Sequence, residues 1–120
     1  MGNRASIFVT SDNFVTPIHL YGHWAGRDNV RAVSNVFERA GVRIGDCSYL
    51  TAQLTNEFFV IGLYEGETGF GIGAWGEKAM NDNADDNPMV IVNADTGLIT
   101  YEDLDYEPEQ FIEFAKNVTD

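Results

Sequence analysis

The sequence predicts an α+β fold: an antiparallel sheet built from hairpins, with helices packed mainly on one face. Three observations lead there. Two strand-like runs open the chain around a turn, and two more flank Asp95-Thr96-Gly97. Helical periodicity is clustered between residues 28 and 62 and returns only near the C-terminus. Strands and helices do not alternate as repeated units, so a doubly wound parallel sheet is not expected. The predicted order is ββ-α-α-β-ββ-α, in a single domain spanning 1–120. A chain of 120 residues is long enough to bury a core without disulfides or a structural metal.

Each element has its own signal. Ala5–Thr10 and Phe14–Tyr21 are rich in β-branched and aromatic residues, and Ser11-Asp12-Asn13 between them has turn chemistry. Pro17 cannot donate to a ladder, which predicts an edge position for the second strand. Along that strand Ile18 and Leu20, extended by Trp24, alternate with His19, Tyr21 and His23, giving one apolar and one aromatic-polar face. Gly26-Arg27-Asp28 opens a helix to about Ala40. Val30, Val33, Phe37 and Ala40 form its apolar stripe, and Gly41 is a natural stop. Arg27, Arg31 and Glu38 fall off the stripe and are expected to face water. Asp46 or Ser48 caps a second helix carrying Leu50, Leu54, Phe58 and Ile61, with Gly62 near its end. Phe59–Tyr64 also reads as a strand.

Gly69–Trp75 alternates strictly and predicts a strand, one face of which carries only glycine until Trp75. A bare strand face admits a neighbouring backbone, ring or ligand. Residues 81–88 are a polar loop. Met89–Asn93 and Leu98–Tyr101 form a hairpin, with Gly97 where positive φ is expected. Pro108 suits the first turn of a last helix, whose stripe is Phe111, Phe114, Ala115 and Val118.

The charge is unevenly placed. Nineteen Asp and Glu stand against seven Lys and Arg, for a net charge of −12. Residues 1–60 hold five cations and five anions, whereas residues 61–120 hold two cations and fourteen anions. From Asp95 to Glu113 there are seven carboxylates (Asp95, Glu102, Asp103, Asp105, Glu107, Glu109, Glu113) and no cation. This argues against direct nucleic-acid binding, since each bound phosphate wants a cation, and against docking to an anionic membrane. A segregated acidic surface instead suits a basic partner, whose approach it steers.

Other chemistry finds little support. A single cysteine, Cys47, forbids an internal disulfide and suits a reducing cytosol. It reads as a small packing residue. Asp82, Ala84 and Asp86 fail the calcium-loop pattern at the second place, and Asn87 stands where that loop needs glycine. His19 and His23, four apart, lie about 13 Å apart on a regular strand, too far to share one zinc ion unless Gly22 breaks the strand. Ser34 and Ser48 lack a nucleophile-elbow context, and the glycines of 66–76 are not followed by Gly-Lys-Ser or Gly-Lys-Thr. Gly2 and Ser6 match a myristoylation pattern, but Ser6 lies in the first strand run. No cofactor, metal site or catalytic group is therefore expected.

The opening Met1-Gly2-Asn3-Arg4-Ala5, the segment His19-Leu20-Tyr21-Gly22-His23-Trp24-Ala25-Gly26 and the Asp95-Thr96-Gly97 hairpin resemble a group of small proteins encoded by bacteriophages and prophages. The likeness is fullest over about the first 40 residues. Gly22 is a departure, expected to interrupt the strand of that group. The resemblance implies an accessory protein acting in the host bacterial cytoplasm, and it carries over no catalytic residues.

Charge and resemblance together predict a non-enzymatic acidic protein. It would bind and modulate or inhibit a host or defence protein, for example by occupying a basic nucleic-acid-binding surface as a nucleic-acid mimic. The expected binding residues are Asp82, Asp85 and Asp86, the seven acids from Asp95 to Glu113, and an aromatic patch of His19, Tyr21, His23 and Trp24. Two alternatives stay open: a small enzyme or ligand-binding protein with a pocket by the Gly-rich strand, and a virion-associated structural protein.

Overall fold

Six strands form one sheet in the order β3-β2-β1-β4-β5-β6. The computed structural model describes residues 3–64, 69–73 and 76–119, with backbone alone for 62–64. The expectations for Gly2 and Trp75 concern residues outside the described ones. In chain order the elements are β1 (Ala5–Thr10), β2 (Ile18–Gly22), α1 (Asp28–Glu38), α2 (Cys47–Tyr64) and β3 (Phe70–Gly73). There follow α3 (Gly76–Asn81), β4 (Val90–Asn93), β5 (Ile99–Tyr101), β6 (Leu104–Tyr106) and α4 (Pro108–Ala115). The fold is α+β, as expected.

The sheet is mostly antiparallel, and the exception matters. β1 and β4 pair in parallel, Ile7 opposite Val90 and Val9 opposite Val92. The four antiparallel pairings are β1–β2, β2–β3, β4–β5 and β5–β6. The parallel joint sits between the two hairpin systems, so it sews the neutral half of the chain to the acidic half.

Alternation sets the faces. Ile7 and Val9, Leu20, Val90 and Val92, Ile99 and Tyr101 point to one side and are buried. Against them pack Val30, Val33, Val36 and Phe37 of α1, Leu50, Leu54 and Phe58 of α2, and Phe111 of α4. These helical stripes were legible in the sequence because their 3–4 spacing is local. Asp46 caps α2 by accepting from the Tyr49 N–H at 3.3 Å.

Several expectations are corrected. β2 begins at Ile18, so Pro17 stands before the ladder, and β2 is an inner strand between β1 and β3. Gly22 does not interrupt it. It pairs with Ala5 and Phe70, and a Cβ there would fall 2.9 Å from the Phe70 ring. α1 stops at Glu38, because Arg39 turns extended (ψ 144°), three residues before Gly41. Ala40 is exposed. Arg27 and Arg31 are half-buried and engaged: Arg27 Nη1 donates to the Tyr101 hydroxyl at 2.8 Å, and Arg31 pairs with Asp28 at 2.8 Å. Phe59–Tyr64 is helix, not strand.

Two elements were not foreseen. α3 is one and a half turns without an apolar stripe, pinned by the Glu77 N–H donating to Thr16 Oγ1 at 2.9 Å. β6 is three residues long and opens with a two-residue turn in which Glu102 (φ 49°) and Asp103 (φ 66°) are both left-handed. That backbone is the one a tight hairpin wants, yet Asn-Gly is its usual sequence.

Candidate functional site

The second face of the sheet carries the polar chemistry. Register places Ser6, Phe8, His19, Tyr21, Gly71, Gly73, Ile91, Thr100 and Asp105 on it. The His19 ring stacks on Phe8, centroids 4.4 Å apart and nearly coplanar, with Tyr21 tilted against it at 5.2 Å. The glycines of β3 make room for this layer. A Cβ on Gly71 would meet the end of the Tyr21 ring at 2.4 Å. The bare strand face foreseen in the sequence is therefore covered there by an aromatic ring of the neighbouring strand.

Ser6, fully buried, joins this layer to the 81–88 segment. Its hydroxyl donates to the Asp85 carboxylate, which also accepts from Asn83 Nδ2 at 3.2 Å. His19 Nε2 lies 2.9 Å from the same hydroxyl oxygen. Serine has one hydroxyl proton, and it is committed to Asp85. His19 must therefore carry its proton on Nε2 and donate it to Ser6. Burial lowers the His19 pKa below 6.5, while the charge of Asp85 acts to raise it.

Serine, histidine and aspartate thus meet in an order unlike that of a nucleophilic triad. There the histidine lies between the other two and takes the serine proton. Here the serine lies between, donates a hydrogen bond to the carboxylate, and has no exposed surface. The group is a clasp. Further bonds reinforce it: Asn29, also fully buried, donates to Ser6 O at 3.0 Å and Pro88 O at 2.9 Å. The Arg4 N–H donates to Asp86 at 2.9 Å, and Asn87 Nδ2 donates to Arg4 O at 2.9 Å.

The clasped segment forms one lip of a cleft of about 510 Å³. Asp85, Asp86 and the amides of Asn81, Asn83 and Asn87 line that lip, while Glu102 and Asp103 line the other at the β5–β6 turn. Met89, Ile91 and Thr100 form the floor, and among the described residues no Lys or Arg lines the cleft. Among the described residues no three His, Cys, Asp or Glu are placed to hold a metal ion. The carboxylates are spaced along a groove.

The predicted binding residues separate into groups. Asp85, Asp86, Glu102 and Asp103 share the cleft. Asp82 is exposed just after α3, and Asp105 lies on the same sheet face, accepting from Thr100 Oγ1 at 2.7 Å. Asp95 is elsewhere. It ties the 94–97 turn to the turn after β1, accepting from Ser11 Oγ and the Asp12 N–H, both at 2.8 Å. Glu107 precedes α4, its N–H bonded to Gln110 Oε1 at 2.9 Å. Glu109 is exposed on α4, and Glu113 pairs with Lys116 at 3.2 Å. The aromatic patch divides as well. His19 and Tyr21 lie in the ring layer, whereas His23 and half-exposed Trp24 pack edge to face beyond the end of β2.

Sequence reasoning missed Ser6 and the three cleft asparagines. Ser6 is the one polar residue in the run Ala5–Val9, and that was the available signal. No family model, curated protein or solved structure matches the chain. Among the described residues no helix is long and apolar enough to cross a membrane.

Proposed function

We propose that this protein is a non-enzymatic binding protein whose acidic cleft receives a basic segment of a protein partner. One observation carries the reading. Two acidic stretches, one on each side of the β4–β5 hairpin, form the opposite lips of one cleft, and among the described residues no Lys or Arg lines it. Uncompensated like charges repel and cost stability, so an arrangement that concentrates them suits a partner that neutralises them. An apolar floor beneath carboxylates and amides suits a long side chain with an aliphatic stem and a cationic head, as in lysine or arginine.

The partner class follows from the same charge. A basic surface that normally holds nucleic acid fits it, and occupying that surface would inhibit the partner. The resemblance of Met1–Ala5 and His19–Gly26 to phage-encoded proteins supports a host or defence protein, met in bacterial cytoplasm. The buried position of Ser6, with its proton directed to Asp85, supports a binding role over a catalytic one.

The test uses tagged protein in bacterial lysate at low and high salt, beside the double variant Glu102→Lys/Asp103→Lys. We expect one basic protein to be captured at low salt, lost at high salt, and lost to the variant. Capture that is indifferent to both salt and the variant would overturn the reading.

A further inference from the structure

The 81–88 lip of the cleft is held to the sheet by groups of two kinds. At its far end Asn29 donates to Pro88 O and Asn87 to Arg4 O, through amides that do not titrate. At Asp85 the hold runs through the Ser6 hydroxyl to His19. Histidine is the side chain whose ordinary pKa puts its charge change between about pH 5 and 8. A titrating ring on the sheet is therefore linked, through one buried hydroxyl, to a carboxylate that lines the cleft.

The ring's surroundings set the direction of the response. Its bond to Ser6 fixes the proton on Nε2, so a second proton must enter at Nδ1. That nitrogen faces β3, where a Cβ on Gly73 would lie 3.6 Å away, and among the described residues nothing accepts a bond from it. One face of the ring lies on fully buried Phe8. The 81–88 segment contributes Asp85, and β2 itself contributes the Tyr21 phenol. β1 offers Ser6 and Phe8, and β3 offers glycine. α3 also packs on β2, and its Glu77 and Lys78 are exposed to water. Burial disfavours a charged ring, and this outweighs the pull of Asp85. An imidazolium therefore gains by swinging out to water, which costs its bond to Ser6. The hydroxyl that holds Asp85 then loses the donor that polarises it.

We propose that His19 is an acid-sensitive latch on the cleft: protonation swings its ring out, releases the Ser6–Asp85 hold and loosens residues 83–86, with Asn87 and Pro88 still fixed as the hinge. Linkage gives the sign. As pH falls, a state in which the ring titrates normally gains on the closed state. The gain at pH 5.5 has a ceiling of about tenfold when the opened ring titrates at 6.5. Weaker binding of a basic segment in acid, because one lip is no longer held, rests on the function proposed above. The latch itself does not.

The experiment is amide exchange by NMR on the full chain without partner, at pH 7.5 and 5.5, each rate divided by the intrinsic rate at that pH. Two amides report the lip: Asp85 N–H, bonded to Asn83 Oδ1 at 3.2 Å, and Arg4 N–H, bonded to Asp86 at 2.9 Å. Their protection should fall in acid by a few-fold to about tenfold. Both should exchange faster than the core amides of α2, because the opening is local. His19→Gln keeps an N–H donor for Ser6 and does not titrate, so its lip should be equally protected at both pH values. Ser6→Ala removes the link and should leave the lip loose at both. Four results would each overturn the latch: no fall in wild type, an equal fall in His19→Gln, a Ser6→Ala lip as protected as wild type at pH 7.5, or lip amides as slow as those of the core. A failed capture from lysate would leave the latch standing, and a failed latch would leave the capture standing.

Discussion

The two lateral edges of the sheet share one core and differ in almost everything outside it. At one edge, α2 and β3 present threonine methyls, Phe59 and Ile72. At the other, β5, β6 and the 81–88 segment present Asp85, Asp86, Glu102, Asp103 and Asp105. Five strand spacings separate β3 from β6, about 24 Å, which exceeds the screening length in physiological salt. The two ends therefore act as separate surfaces. Salt should weaken binding at the acidic end.

The largest effects should show what the two ends have in common. Phe58 of α2 and Phe111 of α4 are both fully buried, one toward each edge. Phe58→Ala and Phe111→Ala should each cost about 3–5 kcal/mol in denaturant unfolding. If one of them costs almost nothing, the ends do not share a core and the comparison fails.

Asn29→Ala comes next and should separate the ends. Asn29 supplies two amide bonds to carbonyls, and only the 81–88 segment and β1 depend on them. The expected loss is about 1–3 kcal/mol. Amide exchange should quicken in 81–88 and stay unchanged in α2. Equal quickening in both would mean that the clasp is not local to the acidic end.

A smaller effect sets function against stability. Glu102→Asn/Asp103→Gly gives the left-handed turn its preferred residues and should stabilise by about 0.5–1 kcal/mol. It also removes two carboxylates from the cleft, so affinity for the basic partner should fall while the melting temperature rises. A variant that is no more stable than wild type would show that the turn is unstrained by its acids.

The smallest is a pH effect centred on His19. Its folded pKa is lowered by burial, so the unfolded chain takes up the proton first. The stabilisation is complete above about pH 6.5 and is lost as pH falls from there toward the lowered value. His19→Gln should flatten stability across that window. An unchanged pH profile in this variant would remove His19 from the clasp's acid sensitivity.

Legibility followed distance along the chain. The α1 and α2 stripes, the β4–β5 hairpin with Gly97 at φ 83° and the Pro108 start of α4 all rest on contacts a few residues apart. The end of α1 escaped because Arg39 leaves the helix before any glycine is reached. β6 escaped because three residues flanked by acids look like more acidic loop. The edge position read from Pro17 was wrong because the strand starts one residue later.

The sequence by itself determined the composition of each surface: an acid-rich second half, an α2 whose one charge is Glu57, a glycine strand and a single buried-type polar residue in β1. Only the tertiary structure decided what anchors the acidic 81–88 segment to the sheet. The parallel β1–β4 pairing brings Arg4 to Asp86 and Ser6 to Asp85 across about eighty positions of chain. The β4–β5 hairpin sets Asp85 and Asp86 across from Glu102 and Asp103 and leaves Asp95 to hold a turn at the other end of the same strands. Local patterns specify which side of an element is apolar. The pairing of distant strands is settled by what all the apolar sides bury together, and no short stretch of sequence contains that information.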